Sequence, residues 1–180
     1  MSKLNVTDAV YQFLQPSVSN ITSLGKLYSA LPRIASEADL FTNTYPGLGY
    51  GATIFMFITS QTEQRIALGG PVSGRKFRTY DLGLLMVFKS DMATITEGLG
   101  QGTPEEAAQA AFDTFVDSLL DYIESNNTAG NPSVVFQWGE GGDRGGTDLH
   151  FDYTVPRTLN GGVMIFQGVG HVTVAEMLTT

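Results

Sequence analysis

The chain has 180 residues, of which 42% are apolar and 16% charged, with no cysteine and a formal net charge of −8. That length suits one domain spanning 1–180, and a domain of this size buries roughly 70% of its unfolded surface without help from a metal or disulfide. The composition excludes a disordered acidic tail, a thiolate nucleophile, an iron–sulfur cluster and a cysteine zinc site, and the acidic balance argues against wrapping nucleic acid.

The charge is unevenly placed. Residues 91–126 hold Asp91, Glu97, Glu105, Glu106, Asp113, Asp117, Asp121 and Glu124 and no Lys or Arg, which is the whole net charge. Residues 65–89 hold Arg65, Arg75, Lys76, Arg78 and Lys89 against Asp81 alone. Both stretches are either ordinary solvated faces or two unlike halves of an interaction.

The first predicted element is a short helix over 6–15. Val10, Phe13 and Leu14 make its apolar face, and Pro16 stops it because proline lacks the N–H that a helix interior needs. Residues 17–50 predict an extended arm or long loop with one short strand at most, punctuated by Pro46, Gly47, Gly49 and Gly51. A loop of that length inside a domain is usually functional or interface-forming.

Residues 52–60 (ATIFMFITS) predict a strand and 63–69 (EQRIALG) a second, ended by Gly69-Gly70-Pro71. A long strand follows over 75–90. Leu82, Leu84, Met86 and Phe88 share one of its faces; Asp81, Gly83, Leu85, Val87 and Lys89 share the other. Both faces are apolar in the middle, so the strand should be covered on both sides near its end. Its polar start predicts a protruding hairpin around 65–89.

The plainest helix covers 104–124. Thr103 and Glu106 form a capping box, and Pro104 occupies the first turn. Ala108, Ala111, Phe112, Phe115, Val116, Leu119 and Ile123 recur at helical spacing as a core stripe. Glu105, Asp113, Asp117 and Asp121 stand four or eight apart on another face, where like charges cost about 0.2–0.5 kcal/mol per pair. Such a face meets either water or a basic partner. The helix ends within 126–132.

The last third reads as strands: 133–138, then 147–155, then 163–166 and 171–175, with Gly168 and Gly170 loosening the chain between the last two. In 147–155, Leu149, Phe151, Tyr153 and Val155 alternate with polar residues, the mark of a half-buried strand. Asn160-Gly161-Gly162 predicts a hairpin turn. Helices and strands are segregated. The predicted fold is therefore α+β: a largely antiparallel or mixed sheet packed by one long amphipathic helix and a short N-terminal helix, with the protruding hairpin.

Catalytic patterns are absent. GEGGDRGG (139–146) has the glycines of a phosphate loop but opens a strand and lacks lysine, so a mobile loop that orders at an interface is the favoured reading. His150 and Asp152 lie two apart on one strand face, with Asp148 before them. That spacing suits a metal but equally a polar outer face, and neither a metal nor another cofactor is expected. There is no GxSxG elbow for serine chemistry. A small metal-dependent hydrolase built on His150 and Asp152 is a distant alternative. The longest apolar runs, ATIFMFI (52–58) and LLMVF (84–88), are too short to span a bilayer, and no targeting segment is apparent, so folding in a cytoplasm is expected.

The order of these features resembles one family. The opening helix DAVYQFLQ, the arm with SLGKLY and TYPGLGYGATIFMFI, and the hairpin QTEQRIALGG…GRKFRTYDLGLLMVFKS come first. They are followed by the acidic helix AAFDTFVDSLLDYIES and the closing strands ending in VMIFQGVGHVTV. Together they resemble the tail terminator proteins of long-tailed, non-contractile bacteriophages, particularly those of actinobacterial phages.

The resemblance implies a structural virion protein with no catalytic residues, assembled in the host cytoplasm. Such proteins form a hexameric ring on the head-proximal end of the tail tube. The ring stops polymerisation of the major tail protein and docks to head-completion proteins. Genome DNA passes through its lumen without sequence-specific binding. Another head-to-tail connector, or the tail tube protein itself, is the alternative.

Under this reading Arg65, Arg75, Lys76, Arg78 and Lys89 of one subunit are candidates to meet Asp113, Asp117 and Asp121 of the next, because a ring interface is head-to-tail and unlike patches must meet. Alternatively, the acidic face lines the lumen.

Overall fold

The computed structural model describes residues 3–15, 21, 23–31, 51–65, 75–91, 103–125, 134–136, 150–159 and 163–179. The elements run α1 (Lys3–Leu14), β1 (Leu24–Tyr28), β2 (Gly51–Arg65), β3 (Arg75–Asp91), α2 (Pro104–Glu124), β4 (Val134–Phe136), β5 (His150–Tyr153), β6 (Arg157–Leu159) and β7 (Val163–Thr179). The fold is α+β. One mixed sheet takes all seven described strands. β1 lies parallel to β2 at one edge, β2 and β3 form a hairpin, and β7 runs antiparallel along the whole of β3. The far side of β7 is shared end to end by β6, β5 and β4.

Both helices pack on one face. Val6, Val10 and Leu14 of α1 recur four apart and are buried there. In α2 the buried stripe is Ala107, Ala108, Phe112, Phe115, Val116, Leu119 and Ile123, with Ala111 half-buried. Its start is capped as the sequence predicts: Glu106 N–H donates to Thr103 Oγ1 at 3.3 Å, and Thr103 N–H donates to Glu106 Oε2 at 2.9 Å. Opposite the helices, Leu82, Leu84, Met86 and Phe88 of β3 are all buried in the same core cluster. The other sheet face holds a smaller cluster, Phe55, Val87 and Ile165, with Tyr28 stacked on Phe55 at 5.0 Å. β3 is thus covered on both sides near its end, as its two apolar faces predict.

The structure corrects several expected boundaries. The strands predicted at 52–60 and 63–69 are, through Arg65, one strand, since β2 is continuous across residues 60–63. A β-bulge between Ile58 and Ser60 shifts the register, so the inward face passes from even-numbered to odd-numbered residues. That change of phase is what reads in sequence as a break. Polar groups stitch it: Thr59 Oγ1 donates to the Asp81 carbonyl at 3.0 Å, and Ser60 Oγ to Asp81 Oδ2.

β7 is likewise one strand of 17 residues where two were expected. Gly168 and Gly170 do not loosen it; they make room for rings. A β-carbon at position 170 would lie 2.6 Å from the Phe151 ring, and one at 168 would lie 3.1 Å from the Tyr153 ring. Of the predicted inward set on β5, Phe151 is half-buried, whereas Tyr153 and Val155 are exposed. The strand is too short to carry the alternation as far as Val155.

The arm does hold one short strand, β1, whose Leu24 and Leu27 are buried. Its start is fixed against β2: Ala52 N–H donates to the Ser23 carbonyl at 2.7 Å. Gly51 sits at φ +105, where a β-carbon would meet that same carbonyl oxygen at 2.7 Å, so only glycine fits. The rest of the arm beyond Leu31, the 139–146 loop and the 160–162 turn lie outside the described residues. No helix among the described residues is long and apolar enough to cross a membrane.

Candidate assembly interface

The hairpin reaches outward with residues 59–63 of β2 exposed, but it does not stand alone, because β7 follows β3 to the pair Arg75–Thr179. Register divides the predicted basic residues. Arg65 lies opposite Lys76, and Glu63 opposite Arg78, on the helix-side face; Arg75 belongs to the other face. Lys89 does not join them. It stands at the far end of β3, opposite Gly51 and Ile165, about 36 Å from Arg78 at ~3.3 Å per residue. It is half-buried, and that burial lowers its ammonium pKa below the ordinary lysine value.

Arg78 is already engaged within its own chain. The row across the sheet at this level runs Glu63, Arg78, Glu176 and Val134. Arg78 Nε donates to Glu63 Oε2 at 2.7 Å, and this hydrogen bond holds the guanidinium still more firmly protonated. Glu176 is fully buried. Its Oε2 accepts from the Tyr80 hydroxyl at 3.3 Å, while Oε1 has no donor among the described residues. Burial first, and the nearby Glu176 charge after it, push the Tyr80 phenol up.

Sequence counting gave the 65–89 stretch four excess positive charges. Two carboxylates from outside that range share its outer end, Glu63 and Glu176, and neither is among the site residues that the sequence predicts. No local pattern signals them; only strand register brings them there.

The acidic residues stay together. Asp113, Asp117 and Asp121 are exposed on α2 with Glu105, Glu106 and Glu124. Gln109 Nε2 donates to Asp113 Oδ1 at 2.7 Å, and no basic residue lies on the helix. Tyr153 of β5 sits beside this face, its ring edge-on to Phe112 at 5.7 Å. Partial burial first, then the carboxylates of Asp113 and Asp117, raise its phenol above the ordinary tyrosine value.

A raised phenol pKa favours the folded state below about pH 10 and loses that contribution as pH climbs through the folded value. Changing Asp113 and Asp117 together to Asn should therefore lower the Tyr153 pKa. The shift is read as the difference in alkaline absorbance titration between that variant and the same variant carrying Tyr153→Phe. An unchanged Tyr153 titration would mean that the acidic face does not act at this distance.

The two charged regions occupy opposite ends of the sheet. α2 seats over the Phe88 and Phe166 end, with Phe112 stacked on Phe166 at 5.0 Å. Arg75, Lys76 and Arg78 open β3 at the other end, about 33–43 Å from Phe88 at ~3.3 Å per residue. Asp148 lies outside the described residues, while His150 pairs with His171 across β5 and β7. No three metal-ligating side chains converge among the described ones. No protein-family model and no curated protein matches this chain.

Proposed function

We propose that the chain is a structural ring protein, a phage tail terminator that caps the head-proximal end of the tail tube, stops its growth and joins tail to head. One observation carries this reading. The acidic face of α2 and the basic end of the β2–β3 hairpin lie at opposite ends of one sheet, with nothing on α2 to neutralise its acids. Two unlike surfaces far apart on one subunit suit head-to-tail contact, and head-to-tail contact closes into a ring when the rotation permits.

Arg65, Arg75 and Lys76 are the residues offered to a neighbour, because Arg78 is bonded to Glu63 and Lys89 is remote. Their counterparts are Asp113, Asp117 and Asp121. Complementary charge of this kind sets register and encounter rate more than affinity. The protein acts by assembly, without catalysis or cofactor. Its partners are copies of itself, the tail tube protein and a head-completion protein, and DNA passes through the lumen.

Native mass spectrometry and electron microscopy of the purified protein, alone and with tail tube protein, test the reading. A closed ring of about six subunits that halts tube growth is the expected result. Open-ended tubes of this chain alone would make it the tube protein. A monomer that leaves tube growth untouched would end the proposal.

A further inference from the structure

Two of the three large apolar side chains exposed among the described residues, Tyr153 at 55% and Val155 at 83%, stand together at the end of β5. Surface apolar groups that cluster mark a contact more often than ones that stand singly. The Tyr153 ring is held in place although it is exposed. Gly168 of β7 leaves room beneath it, the Phe151 ring runs near-parallel to it at 6.3 Å and 11°, and Phe112 of α2 meets it at 5.7 Å and 86°. Asp113 and Asp117, one helical turn apart and both exposed, lie close enough for their charges to act on its phenol. No basic residue on α2 competes for those carboxylates.

A fixed aromatic face beside two carboxylates fits a guanidinium best. That group is planar, stacks on a ring and donates to a carboxylate at the same time, whereas an ammonium is a compact and strongly hydrated charge. We propose that Tyr153, Asp113 and Asp117 form a receptor for an arginine of a second copy, brought by the basic end of its β2–β3 hairpin. Charge complementarity selects that occupant. Residues 65–89 hold five of the ten Lys and Arg against one acid, and residues 91–126 hold eight acids and no base. Arg78 is taken by Glu63 of its own chain, which leaves Arg65 and Arg75 as the arginines of that end. The inference rests on the head-to-tail reading above and names its contact point: charge brings the two surfaces together, and Tyr153 selects arginine over lysine there.

Sedimentation velocity over a concentration series, alone and with tail tube protein, tests it. The comparison set is Tyr153→Leu, Tyr153→Phe and the pair Arg65→Lys with Arg75→Lys, each checked by circular dichroism for a native fold. Tyr153→Leu should weaken each contact about tenfold, and Tyr153→Phe, which keeps the aromatic face, should restore most of that loss. The lysine pair keeps every charge and should still weaken the contact several-fold. If Tyr153→Leu does not fold, the lysine pair decides. Assembly as tight as that of the unaltered protein in a folded Tyr153→Leu variant, or in the lysine pair, overturns the inference and leaves the subunit ring standing. An unaltered protein that stays monomeric under both conditions overturns both.

Discussion

Replacing Phe112 by alanine is expected to destabilise the protein by about 3–5 kcal/mol. Phe112 is 3% exposed and stands where the acidic helix meets the sheet. It stacks on Phe166 at 5.0 Å, tilts against Phe88 at 5.7 Å and meets the edge of Tyr153 at 5.7 Å. Those partners come from three strands. None can collapse into the gap without disturbing its own register, so the cavity should persist. In a chain of this size, that loss lowers the melting temperature by about 10 °C. Denaturant unfolding of the two proteins measures it. A change under about 1 kcal/mol, the cost of an average substitution, would mean that α2 is not seated on the sheet through this ring.

The second large effect is on assembly. Changing Arg65, Arg75 and Lys76 together to Glu is expected to abolish the proposed ring while leaving the monomer folded. Residues 61–63 of β2 are exposed, and the side-chain bond from Arg78 to Glu63 is kept, so the hairpin's own pairing survives. The altered end would then face the exposed acids of a neighbouring α2. Like charges brought together at an interface cost several kcal/mol, and each 1.4 kcal/mol is tenfold in affinity, so each contact weakens more than about a hundredfold. Sedimentation or native mass spectrometry reads the loss. Including Arg78 in the set would confuse the outcome, because it would also break a bond inside the chain.

What sequence could tell about this fold follows from where its signals are local. α2 was legible nearly to the residue, because a capping box, a first-turn proline and a helical stripe agree with one another. β3 was legible through its alternation, including the cover on both faces. β2 and β7 were not. In β2 the bulge after Ile58 changes which residues face inward, and a period-2 reading takes that for an end. In β7 the glycines that read as breaks are shaped by Phe151 and Tyr153, which arrive from another strand.

The candidate interface shows the same limit. The acids of α2 were visible because they share one helix. The row Glu63, Arg78 and Glu176 is drawn from three strands, and the opposition of His150 and His171 from two. Both depend on register, which no single segment encodes.

The central claim is that the basic end of one subunit meets the acidic helix of the next. Reciprocal exchange tests it most directly. One variant carries Arg65, Arg75 and Lys76 changed to Glu; the other carries Asp113, Asp117 and Asp121 changed to Lys. Native mass spectrometry of each alone and of an equal mixture is the measurement. Neither variant alone should close a ring, and the mixture should form closed rings holding the two in equal number, since every contact then again joins unlike charges. Wild-type rings from either variant alone, or a mixture that stays unassembled while the unaltered protein forms rings, would contradict the account.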